Sequence, residues 1–101
     1  MAVTSVTSSD GRSLDITIDG RFDFNAHQAF RAAYEKVSPV PPQITVDLSS
    51  TTYLDSSALG MLLLLRDHCG GDSSNIQLTG CNQDIKKILT ISNFEQLFKI
   101  A

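Results

Sequence analysis

The sequence predicts an α/β domain, a small mixed β-sheet with helices mainly on one face. Three observations carry this. Leu14, Ile16 and Ile18, then Ile44, Val46 and Leu48, then Ile76 and Leu78 alternate with polar residues, as strands do when one face is buried and the other wetted. Two other stretches, 26–37 and 58–65, are apolar at helical spacing or almost throughout. A sheet covered by helices on both faces would instead have strands that read as continuous apolar runs.

Taken in order, Val3, Thr4, Ser5, Val6, Thr7 and Ser8 make a short edge strand. Asp10-Gly11 is a hairpin turn signal leading into the strand 14–19, which Gly20 ends. After Arg21, Phe22, Asp23 and Phe24, Asn25 caps a helix, because its side chain can accept from the orphan N–H groups of a helix start. Ala26, Ala29, Phe30, Ala33, Tyr34 and Val37 fall three and four apart and form its buried stripe, while His27, Arg31, Glu35 and Lys36 face water. Ser38-Pro39-Val40-Pro41-Pro42 stops the helix, since proline removes a donor and restrains the residue before it. The pieces on either side are too small to fold alone, so this is a connector within one domain spanning residues 1–101.

The third strand is residues 43–48. A long apolar helix follows, with Leu59, Met61, Leu62, Leu63, Leu64 and Leu65 before Arg66, Asp67 and His68, and with Gly70 or Gly71 as its left-handed cap. After the strand 76–79, Asn82 caps a last helix whose Ile85, Ile88 and Leu89 repeat at helical spacing. Ser92-Asn93 interrupts it, and residues 97–100 form a short terminal strand.

A formal charge of −3 without any basic block argues against a nucleic-acid partner. The amino terminus lacks a positive region followed by an apolar core, and the longest apolar run is far shorter than the roughly 20 residues that span a bilayer. A soluble cytoplasmic protein without a membrane partner is the expectation. Cys69, Cys81, His27 and His68 are too few and too scattered for a zinc site or a redox pair, so neither a metal nor a cofactor is expected.

Between the third strand and the apolar helix, Tyr53-Leu54-Asp55-Ser56-Ser57-Ala58-Leu59-Gly60 gathers an acid and two hydroxyls at a strand-to-helix corner. The plainest reading is a helix cap, with Asp55, Ser56 or Ser57 accepting a backbone N–H. A nucleophilic serine would need a base and an oxyanion site, yet only His27 and His68 are available, and Leu54 and Ala58 stand where a nucleophile elbow has glycines. No enzymatic activity is therefore expected. Phosphorylation fits better, since a phosphate at a helix start gains from the helix dipole and free N–H groups and adds charge beside Asp55. A small-ligand sensor, holding a nucleotide or other anion at the helix start, is the alternative; it lacks a Gly-rich phosphate loop, because Gly70-Gly71 stands at the helix end. Every residue from 58 to 65 is apolar or glycine, so the helix is either a central core element or offers an apolar patch around Met61.

Asp55-Ser56-Ser57-Ala58-Leu59-Gly60, preceded by residues 44–50 and followed by the apolar helix ending Gly70-Gly71, resembles the signature of STAS domains of the anti-sigma factor antagonist type. Gly20-Arg21-Phe22-Asp23 resembles the family's Gly-x-hydrophobic-Asp element. Ile91-Ser92-Asn93-Phe94 with Leu97-Phe98-Lys99-Ile100 resembles its closing segment. The resemblance implies a single STAS domain acting as a partner switch. Unphosphorylated, it would bind an anti-sigma factor with a kinase-type fold and free the sigma factor; a serine kinase would block binding, and a PP2C-type phosphatase would restore it. By position Ser56 would be the phosphoacceptor. Phe22, Asp23, Phe24 and Asn25, with Leu54, Asp55, Ser57, Ala58, Leu59 and Met61, would form the partner surface. Ala58 replaces the commoner glycine, and many relatives continue into a further helix near Ala101, an ending that would leave part of the last strand or sheet face uncovered. Similar small STAS proteins also act as adaptors on non-sigma partners in secretion, motility or cyclic-dinucleotide metabolism, which is a second implied role.

Overall fold

The computed structural model describes residues 2–101. β1 (Ala2–Thr7) and β2 (Ser13–Phe22) pair antiparallel across the Asp10-Gly11 turn, where the Ser8 hydroxyl donates to Asp10 Oδ1 at 2.6 Å. The other pairings are parallel: β2 with β3 (Gln43–Asp47) and with β4 (Thr51–Leu54), β3 with β5 (Ile76–Thr79), and β5 with β6 (Lys99–Ile100). Parallel neighbours need crossovers. α1 (His27–Ala32), α2 (Ser56–His68) and α3 (Gln83–Ile91) supply them.

The sheet is mixed, and its main path runs β1-β2-β3-β5-β6. Leu14, Ile16, Ile18, Ile44, Val46, Leu48, Ile76 and Leu78 point to one side. There they join Phe30, Leu62, Leu65, Ile85 and Leu89 from the helices in a single core. Asp15 and Asp19, on the opposite face of β2, are exposed. This is the one-faced architecture that the alternating strands predict.

Three local expectations are corrected. Gly20 does not end the second strand. It takes φ +94°, a left-handed conformation open to glycine, and the strand continues to Phe22 after a register shift. Before Gly20, β2 pairs with β3; after it, β2 pairs with β4. β4 itself is absent from the sequence reading because it does not alternate: Thr51 and Leu54 are buried while Thr52 and Tyr53 are exposed. The first helix is also shorter and differently capped. Asn25 is not its cap: α1 begins without a side-chain cap, after a 3-10 turn over Phe24–Ala26 that Asp23 caps by accepting from Asn25 N at 3.1 Å. Ala26, Phe30, Ala33 and Tyr34 are buried, and Ala29, at the edge of that stripe, is not.

The remaining elements follow the sequence. Asn82 accepts from Ile85 N at 2.8 Å at the start of α3, and Gly70 and Gly71 both take positive φ after α2. The terminal strand is confined to Lys99–Ile100, since Phe94–Gln96 forms a 3-10 turn and Phe94 and Phe98 stack at 5.4 Å. An aromatic row, Phe22 to Phe30 at 5.1 Å, Phe30 to Tyr34 at 5.7 Å and Tyr34 to His68 at 5.1 Å, ties β2 through α1 to the end of α2.

Thr51 is the buried polar side chain at the handover, and its hydroxyl donates to the Ile18 carbonyl at 2.8 Å. Thr51→Val keeps the shape and strands that carbonyl. It should cost about 1–3 kcal/mol in urea unfolding, against a near-neutral effect for Thr52→Val on the exposed side of the same strand.

Candidate functional site

The handover at Gly20 builds the site. β2 and β4 run parallel, with Arg21 opposite Tyr53 and Phe22 opposite Leu54, so both strands end at the same edge of the sheet. Asp55 N donates to the Phe22 carbonyl at 3.4 Å, and the two loops that follow, one from Asp23 and one from Asp55, lie together. Each begins with an extended aspartate that caps the next helical turn. Asp23 (φ −132°) accepts from Asn25 N, and Asp55 (φ −118°) accepts from Ala58 N at 3.1 Å.

The corner's cap is therefore Asp55, among the three side chains that could have served. Its Oδ1 also accepts from the Ser57 hydroxyl at 2.6 Å, a charge-assisted bond. The Ser57 hydroxyl first, together with the N–H groups of Ala58 and Ser57 and the charge of Arg21, holds the Asp55 carboxyl below its ordinary value against the opposing effect of burial. Ser57 is thus half-buried and committed to its neighbour. Ser56, the first residue of α2, is exposed.

The residues expected to meet a partner divide by burial. Phe24 is 72% exposed, Asn25 is exposed, and Asp23, Asp55, Ser57 and Leu59 are partly exposed around Ser56. Phe22, Leu54, Ala58 and Met61 instead have their side chains in the core, with Met61 only 3% exposed. The apolar patch expected around Met61 is accordingly displaced. Ala58, Met61, Leu62 and Leu65 form one inward stripe, and the outward apolar residues of α2 are Leu63 and Leu64, the latter 51% exposed.

Two site residues escaped the sequence reading, Arg21 and Tyr53. The guanidinium of Arg21 lies 4.0 Å from the centroid of the Tyr53 ring, and its Nε donates to Asp23 Oδ2 at 3.4 Å. The signal that could have found them is β4, since only its pairing with β2 brings positions 21 and 53 together.

Other chemistry is remote. His68 ends the helix that Ser56 begins, about 18 Å away by helical rise, and packs on Tyr34. Burial pushes the Cys69 thiol up to about 11 and raises that of Cys81. Among the described residues no cluster of three or more His, Cys, Asp or Glu could hold a metal ion, and no helix is long and apolar enough to cross a membrane. A groove of about 600 Å³ runs along α1, lined by His27, Gln28, Arg31, Ala32, Glu35 and Lys36.

The family described as "Mlab, STAS domain" matches residues 5–99. The chain belongs to the STAS family. It is 61% identical, over the full length of both proteins, to a STAS-domain containing protein of Pseudomonas aeruginosa. Its fold is similar to that of an anti-sigma factor antagonist from Mycobacterium paratuberculosis (TM-score 0.79, 17% identity, covering 98% of this chain and 85% of that one). It is also similar to the Bacillus cell fate determinant SpoIIAA in its phosphorylated form (TM-score 0.75, 17% identity, covering 99% and 91%). At these identities the two structures establish that the STAS fold is shared.

Asp55→Ala removes the cap of α2 and should cost about 1 kcal/mol, within a range of roughly 0.5–2. Because the folded carboxyl lies below its ordinary 3.8, its contribution is present above that value and lost as pH falls through the depressed one. Urea midpoints of wild type and Asp55→Ala should differ at pH 6 and converge in acid.

Proposed function

We propose that this STAS domain is a phosphorylation-controlled partner switch with Ser56 as the phosphoacceptor. The observation that carries the reading is the contrast at the corner: Ser56 offers an exposed hydroxyl at the first position of α2, whereas the Ser57 hydroxyl is bound to Asp55. A phosphate on Ser56 adds a charge of about −1.5 to −2 next to Asp55 and Asp23 without entering the core. It gains from the helix start, so the fold tolerates it, while a partner surface matched to the unmodified corner does not.

The unmodified protein acts in the cytoplasm and binds an anti-sigma factor of the kinase type, which frees the sigma factor. The same or a related serine kinase modifies Ser56, and a PP2C-type phosphatase reverses it. The fold shared with anti-sigma factor antagonists, among them SpoIIAA, which is also described in a phosphorylated form, supports this reading. The partner surface consists of Phe24, Asn25, Leu59 and the exposed parts of Asp23, Asp55 and Ser57, extended along α2 by Leu63 and Leu64. The chain binds and releases; it catalyses nothing itself.

Ser56→Asp should give a folded protein by circular dichroism whose partner affinity in a pull-down or titration drops at least tenfold, roughly the effect of 1.4 kcal/mol, while Ser56→Ala binds as wild type does. A folded Ser56→Asp protein that retains every partner would sink the switch. Phosphopeptide mass spectrometry placing the phosphate on Ser57 would overturn the site alone, and capture of a partner other than an anti-sigma factor would overturn only the sigma-factor assignment.

A further inference from the structure

The chain has eight Lys and Arg side chains, and at the corner the one that bears on both aspartates is Arg21. Arg31 pairs with Glu35 and Arg66 with Asp72, both away from this edge. Arg21 faces Tyr53 in the β2–β4 register, so its guanidinium lies on the ring of the residue two before Asp55 and three before Ser56. Its side chain is 61% exposed. Among the described residues only Nε of its five N–H donors carries a side-chain bond, to Asp23 Oδ2, and at 3.4 Å that bond is long for a charge-assisted one. Asp23 does not depend on it, since Oδ1 separately accepts from Asn25 N.

Taking Ser56 as the acceptor proposed above, we infer that Arg21 is the internal counter-ion of its phosphoryl group, held ready on the Tyr53 ring and drawn from Asp23 when the phosphate arrives. The charges favour the move. Asp23 offers Arg21 one negative charge and a long single bond. The phosphate offers about −1.5 to −2 and three acceptor oxygens, which suit the guanidinium fork. The corner already holds two carboxylates against this one guanidinium, and the field of Arg21 reaches as far as the Asp55 carboxyl. Arg21 is a positioning residue here.

Phosphoserine placed at position 56 during protein synthesis allows a direct test by phosphorus NMR across pH, with no kinase or partner needed. The charged and titratable groups of the corner are Asp23, Asp55, Tyr53 and Arg21, and only Arg21 is varied. Arg21→Gln and Arg21→Met, the second keeping an apolar stem over Tyr53, should each raise the second ionisation of the phosphate by about half a unit or more, since a nearby cation favours the dianion. Arg21→Lys should recover part of the wild-type value. If the titrations of wild type and either folded variant superimpose, the counter-ion role is overturned. The readout is independent of partner binding. A shifted titration with Ser56→Asp still holding its partner would remove the switch and leave the counter-ion; an unshifted titration with binding lost would do the reverse.

Discussion

The handover of β2 at Gly20 is the constraint on which the rest depends. β2 pairs with β3 over its first half and with β4 over its second; within the second pairing the register shifts between Gly20 and Arg21, where Gly20 is left-handed and Thr52 is the extra residue of β4. The Thr51 hydroxyl closes the gap by donating to the Ile18 carbonyl, a backbone acceptor two residues before the shift. Without that bond a buried carbonyl would lack a partner at the point where the ladder is interrupted.

What the handover produces is a shared edge. Phe22 and Leu54 end their strands side by side with both side chains in the core, and each is followed by an aspartate that leaves the sheet and caps a helical turn. The STAS corner is thus two similar strand-to-helix turns placed together. The buried residues fix where the strands end. The capping carboxylates fix how the chain departs, and the hydroxyl of Ser56 is left outside both sets of bonds. Rigid support beneath Ser56 is what the proposed charge switch requires, because an added charge would then alter the surface and leave the fold intact.

Much of this was legible from local pattern. Strands with one buried face alternate, helices carry an apolar stripe, and Asn82, Asp10-Gly11 and Gly70-Gly71 mark their ends through their own backbone chemistry. The losses came where two neighbours competed for the same role. Asn25 and Asp23 are both capping types next to the first helix, and Asp23 caps the 3-10 turn before it because β2 runs on to Phe22 and brings the aspartate, extended, to the start of that turn. In α2 an unbroken apolar run gives no phase. Only packing against the sheet decides that Met61 is inside and Leu63 and Leu64 are outside.

The sequence by itself determined the element types outside residues 51–54, the one-faced mixed sheet and the corner in which an aspartate and two serines open an apolar helix, because each is set by residues near one another in the chain. Tertiary structure alone decided that β2 runs on past Gly20, that residues 51–54 are a strand with Thr52 as its extra residue, and that Arg21 rests on Tyr53 beside Asp23. Those features are pairings between segments some thirty residues apart. No local periodicity records a partner that distant; it is the sheet's register that makes them neighbours.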